Sequence, residues 1–283
     1  MRDGEAWLLY RIGQALVKAN HSVHIIMDSQ AEFYQGGVCY WPAQRHPGRA
    51  AIYITTSRET PDVQADRTVG PDSLWDIMPG CELNGHVTKV PRRLIWTAHA
   101  NRGLWHLMEM WPSLKAAVPG ISLVVTHEVK RWCEEMKWTH DWQGIIARGL
   151  LDWFEASPEI TLTKMVQRDE VNHYQGEAEL LVYPCDPLYP NKAHHSLSAL
   201  EAAGAGCALL LSGEERLYED CEKAAGFLED PWRHEDWVAT AAEWLTNPSE
   251  LKRRQGQAKE WAAQHTWAKF DQAWAEKVEA LNV

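Results

Sequence analysis

The stretch that decides the fold is "AHHSLSALEAAGAGCALLLSG", Ala193 to Gly213. It joins a polar, histidine-containing turn to a small-residue helix, two glycines and a run of pure aliphatics. Ser196 stands at a capping position, the period from Ser196 to Ala203 is helical, and Gly204 and Gly206 stop the helix. "CALLLS" is short and apolar throughout, which reads as a strand buried on both faces. A helix whose N-terminus opens beside such a strand presents free backbone N–H groups and a partial positive charge. It is a place for a phosphate.

Outward from this stretch the pattern repeats. Towards the C-terminus the residues from His234 to Leu281 are helical, with "DWVATAAEWL" and "ELKRRQGQAKEWAAQH" amphipathic. Towards the N-terminus, "AELLVYP" and "ITLTKMV" read as strands and "RDEVNHYQGE" as a short helix. Glu128 to Glu155 is mostly helical, "GISLVV" a strand, and "GLWHLMEMWPSLKAAV" a helix that Pro112 bends or restarts. "RLIWTA" is the strand that opens this regular half at Arg93. Before it, "PGCELNGHVTKVPRR" reads as a linker and "RETPDVQADRTVGPD" as a long loop without apolar period. The first residues give a helix from about Glu5 to Lys18 and strands at Val23 to Met27, Gly37 to Trp41 and Ala50 to Ser57. Strands alternating with helices predict an α/β fold with a parallel, doubly wound sheet, whose ligands lie at the carboxyl ends of the strands.

The whole chain sets bounds on function. Its 283 residues accommodate two modest domains, divided here as 1–90 and 91–283. A net charge of -11 argues against nonspecific binding to nucleic acid or anionic lipid, although a local basic cleft is compatible with it. Six scattered cysteines form no Cys-x-x-Cys pair and read as buried thiols in a reducing cytoplasm. No apolar run reaches membrane-spanning length, and "MRDGEAW" is not a signal peptide. The sixteen tryptophans follow no repeat and are assigned to core or half-buried surface. Phosphate-loop, nucleophile-elbow, zincin and calcium-loop motifs are all absent from the sequence.

Four segments in order carry a family resemblance: "RLIWTAHANRGLWHLMEMWPSLKAAVPGISLVV", "TKMVQRDEVNHYQGEAELLVYPCD", "SLSALEAAGAGCALLLS" and "HTWAKFDQAW". They resemble the donor domain of the family 4 retaining glycosyltransferases of the GT-B architecture. The first half is similar to the acceptor domain more faintly: Gly4 lies seventeen residues before His21, as the family's glycine-rich loop does before a His. The resemblance therefore implies a GT-B-like chain, two Rossmann-like domains facing a cleft, the N-terminal one reduced and without its usual first strand. It implies transfer of a sugar from a nucleoside-diphosphate donor such as a UDP-sugar to an acceptor hydroxyl, with retention.

The same resemblance distributes roles. Glu201 takes the position of the second Glu of an E-x7-E motif, which accepts hydrogen bonds from the donor's ribose; the first Glu is replaced by Ala193. His194 and His195 are candidates to contact the transferred sugar, and the N–H groups at Ser196, Leu197 and Ser198 to receive the distal phosphate. Arg102 stands at the family's diphosphate Lys, and Thr97 where its Arg is expected. His99 faces the same cleft as a base or phosphate donor. Lys164, Met165 and Val166 grip the nucleotide base, and Gly4 borders the cleft. Plainer readings stand beside these: Glu201 as a solvated helix residue, the two histidines as surface loop, Arg102 as a helix cap, His99 as an exposed side chain.

No cofactor is implied beyond the donor, and no metal, because the family discharges its diphosphate with cations and a helix dipole. A cytoplasmic protein and a homodimer formed through an exposed sheet edge follow as expectations. The acceptor is left open among saccharide, lipid, protein and hydroxymethylated DNA bases, the last being a substrate of some phage enzymes of this kind. A nucleotide-sugar-binding protein with decayed catalysis is the alternative function.

Overall fold

The computed structural model describes residues 11–15, 18, 23–25, 52–54, 67–69, 77–84, 87–126, 128–164, 166–185, 196–213 and 221–280. Two compact units emerge, residues 1–80 with 265–283 and residues 81–264. The sequence division was drawn at residue 90 with the whole tail in the second part, whereas here the closing helix groups with the N-terminal residues.

In the first unit, β1 (Val23–Ile25), β2 (Ile52–Ile54) and β3 (Arg67–Val69) form a parallel sheet in that order. β3 lies inside the stretch read as a loop, a correction: three residues are too few for a period to show. The expected strand at Gly37 to Trp41 lies outside the described residues. Residues 11–15 are helical, and Ile12 and Ala15 are buried. They belong with the last helix, Trp267–Ala280, through Arg11, whose Nη2 lies 3.4 Å from Asp271 Oδ1 and whose guanidinium stands 4.8 Å over the Trp267 ring.

The second unit is built on a six-stranded, all-parallel sheet: β6 (Ile160–Leu162), β5 (Ser122–Val125), β4 (Arg93–Trp96), β7 (Leu180–Tyr183), β8 (Ala208–Ser212) and β9 (Gly226–Leu228), in that spatial order. The helices are α1 (Leu104–Ala117), α2 (Val129–Met136), α3 (Trp142–Ala156), α4 (Arg168–Glu177), α5 (Leu197–Gly204), α6 (His234–Thr246) and α7 (Pro248–Ala262). β7 and β8 are buried at every position because helices cover both sheet faces. α6 packs on α1, and α7 packs on α5 and β8.

Three expectations are corrected. Pro112 does not restart its helix: α1 is continuous, with Leu104, Leu107, Trp111 and Leu114 inward and Pro112 on the exposed side, where water can serve the carbonyl it leaves unpaired. Gly204 is the last residue of α5 rather than a stop. Its lack of a side chain serves packing, since a Cβ there would lie 2.4 Å from the Glu82 carbonyl oxygen. The segment read as a linker is packed structure: Cys81 is buried, and Lys89 Nζ donates to the carbonyls of Ala178 (2.5 Å) and Ala205 (2.9 Å) just beyond α4 and α5. Burial lowers the Lys89 pKa. All five described cysteines are buried and form no disulfide, and no described helix is long and apolar enough to cross a membrane.

Candidate functional site

The strand order places the site. From β4 the chain steps outward to β5 and β6, then crosses back to β7 and steps the other way to β8 and β9. Right-handed crossovers in opposite directions put their helices on opposite faces, so a crevice opens at the carboxyl ends of β4 and β7. The residues that border it are those that follow these two strands.

After β4 the chain enters a tight turn. Thr97 is 4% exposed, and its carbonyl accepts from Ser198 Oγ at 3.0 Å, joining this turn to the first turn of α5. His99 is exposed and precedes a single 3-10 turn, Ala100–Arg102, in which the Arg102 N–H donates to the His99 carbonyl at 3.1 Å. Gly103, at φ 104°, adopts the left-handed conformation that lets α1 start immediately. Arg102 is half-buried, and its guanidinium hydrogen-bonds the phenol oxygen of Tyr183, the last residue of β7. Complete burial pushes the Tyr183 phenol above its ordinary range; Cys185 adds to this, and Arg102 opposes it. Arg102 is thus held across the two strands that flank the crevice.

On the other face, Ser196 caps α5, its Oγ accepting from the Ala199 N–H at 3.2 Å. Helix geometry gives the N–H groups of Leu197 and Ser198 no intrahelical acceptor, so they supply the partial positive charge expected of this turn. Glu201, one turn further along, is 8% exposed and forms an ion pair with Arg168, the first residue of α4. The reading of Glu201 as a solvated helix residue is therefore corrected: it is a buried carboxylate paired with a cation. Burial lowers the Arg168 pKa to about 10, which still leaves the guanidinium charged at neutral pH.

The structure thus brings Thr97, Ser196 and Ser198 together, and separately Arg102 with Tyr183 and Glu201 with Arg168. Lys164 is exposed and Val166 half-buried in the turn from β6 to α4. β6 is an edge strand of the described sheet with β5 between it and β4, so these two residues follow a strand that does not border the crevice. Gly4, Met165, His194 and His195 lie outside the described residues. Tyr183 and Arg168 were not singled out from the sequence. A phenol ending an aliphatic strand and an Arg opening a helix were the available signals, since a cation at a helix N-terminus opposes the dipole. Among the described residues, no group of three or more His, Cys, Asp or Glu is placed to hold a metal.

No protein-family model and no curated protein matches the sequence. Solved structures do match in fold. The pneumococcal O-GlcNAc transferase GtfA, in complex with UDP and GlcNAc, aligns with a TM-score of 0.52 at 12% identity, covering 81% of this chain and 44% of its own. A TarM mutant from S. aureus, in complex with fondaparinux, α-GlcNAc-glycerol and UDP, gives 0.54 at 11%, covering 80% and 43%. Sucrose-phosphate synthase from Thermosynechococcus elongatus gives 0.53 at 15%, covering 82% and 57%. The fold is accordingly α/β of the GT-B glycosyltransferase kind. The chain spans from 43% to 57% of the length of these three structures.

Proposed function

We propose that this chain is a glycosyltransferase that takes a sugar from a nucleoside-diphosphate donor and passes it to an acceptor hydroxyl with retention of configuration. The observation that carries the reading is the junction, at one sheet crevice, of the turn after β4 with the first turn of α5 through Ser198 Oγ and the Thr97 carbonyl, the same turn leading into Arg102. A diphosphate leaving group gathers negative charge as the sugar bond breaks, and a guanidinium and a helix N-terminus oppose that charge without a metal. Glu201, one turn inside the same helix, supplies the acceptor oxygens that ribose hydroxyls need. Lys164 to Val166 are assigned to the base, His194 and His195 to the sugar, and His99 to proton or phosphate contacts. Residues 1–90 are assigned to the acceptor side in this reading, with Gly4 bordering the cleft.

UDP is the nucleotide to try first, because GtfA and TarM were solved with it. The acceptor is assigned only as a hydroxyl of a saccharide, lipid, protein or modified DNA base, and the protein is taken to be cytoplasmic. Ala193, in place of a Glu, favours one second reading, a donor-binding protein that no longer turns over. Hydrolysis of a panel of nucleotide sugars without acceptor separates the two. Turnover that Arg102→Ala abolishes supports the enzyme, whereas binding without turnover supports the second reading.

A further inference from the structure

Glu201 lies in α5, whose residues from Ala199 to Gly204 are all buried. An ionised carboxylate at that depth requires a paired cation, and removing the cation leaves an uncompensated charge. The cation is Arg168, whose Nη2 engages Glu201 Oε1 while its side chain keeps 33% of its surface exposed. The exposed surface belongs to the Arg168 side chain, while its Nη2 at the contact is buried.

Arg168 is poorly placed for the stability of its own helix. It is the first residue of α4, where a positive charge opposes the helix dipole. The rest of that turn is built in the usual way: Asp169 and Glu170 follow, and the Gln167 N–H donates to Glu170 Oε2 at 2.8 Å. The exception is the one side chain that reaches Glu201. Its contact with Glu201 runs through one nitrogen, Nη2, of a planar guanidinium, a group with a fixed donor direction that the rotating ammonium of a Lys lacks.

We infer that Arg168 is the positioning residue for Glu201: by holding Oε1 it presents Oε2 to the vicinal hydroxyls of a ribose, and so sets a preference for ribonucleotide over 2′-deoxyribonucleotide ligands. This rests on the nucleotide-donor reading of the site given above. In that arrangement Arg168 does not touch the ligand. It acts through the carboxylate.

The test is calorimetric binding of UDP and 2′-deoxy-UDP to the full chain and to Arg168→Met, Arg168→Lys and Glu201→Gln. The unmodified protein should prefer UDP by about tenfold or more, the value of a hydrogen bond to a charged group. Arg168→Met should weaken UDP by about tenfold and 2′-deoxy-UDP far less, so that the preference collapses as it does in Glu201→Gln. Arg168→Lys should recover part of it, and it carries the test alone if the Met variant does not fold. A Met variant that keeps the full preference overturns the inference, and so does one that binds UDP more tightly, because Arg168 would then be a competitor for the carboxylate. If the unmodified protein shows no binding of UDP, or no preference, the donor reading itself fails, a result distinct from either of these.

Discussion

Tyr183 and Arg102 show what one hydrogen bond contributes at the residue scale. The phenol fixes a guanidinium that would otherwise sample many rotamers, and ordering such a side chain costs about 1.5–2 kcal/mol. Tyr183→Phe should therefore weaken diphosphate binding by up to about tenfold, with free nucleoside unaffected. Equal loss for nucleoside and diphosphate would mean that Tyr183 supports the crevice as a whole. Arg102→Lys keeps the charge and loses the fork, so turnover should fall while some binding persists; steady-state kinetics with a nucleotide sugar read this directly. The Ser196 cap was legible in the sequence because it stands just before an apolar helical run, whereas Glu201 and Arg102 were singled out by family resemblance. Tyr183 and Arg168 were not, since their significance lies in partners distant along the chain.

Elements are where α1 and α6 meet through a histidine pair. His106 is fully buried, its ring stacked on Trp105 (3.6 Å between centroids) and set edge-on to Trp232, and its Nδ1 lies 3.1 Å from His234 Nε2. His234 in turn sits 3.6 Å from Glu109. Burial pushes His106 down to about 3, helped by His234 and opposed by Asp230. The unfolded chain thus binds a proton at His106 near pH 6.5 that the folded chain refuses until about pH 3. The stability this contributes is complete above pH 6.5 and is lost as pH falls towards 3, on the order of 5 kcal/mol in all. Urea titrations at several pH values should show that slope, and His106→Leu should flatten it by one proton. An unchanged slope would show that His106 is protonated as readily in the folded state. In the sequence this helix was plain from its apolar spacing. The histidine's burial was not, because it occupies one more position on an otherwise apolar face.

Across the whole molecule, the grouping of residues 265–283 with residues 1–80 is the feature the sequence hid most completely. "HTWAKFDQAW" reads as one more amphipathic helix after α7, and nothing local says which unit it joins. The inward side chains decide it: Phe270 and Trp274 are 2% and 0% exposed, and Asp271 is paired with Arg11. Trp274→Ala should cost about 3–5 kcal/mol, and hydrogen exchange should show the loss in residues 11–15 and 267–280 before residues 81–264. Uniform loss over both units would refute that grouping. Five strands of the larger parallel sheet, in contrast, were legible as apolar runs bounded by turns; β9 was not, because three half-buried residues, Gly226–Leu228, give no apolar run to read. The six-strand order was not legible either, because order depends on where each crossover lands.

The central claim is that the crevice at β4 and β7 receives a diphosphate. Its most direct test is calorimetric titration of UDP and of uridine into the unmodified protein and into Arg102→Ala. The account predicts that UDP binds more tightly than uridine and that Arg102→Ala weakens UDP by at least about tenfold while uridine changes little. Equal losses for the two ligands, or UDP binding no better than uridine to the unmodified protein, would contradict it.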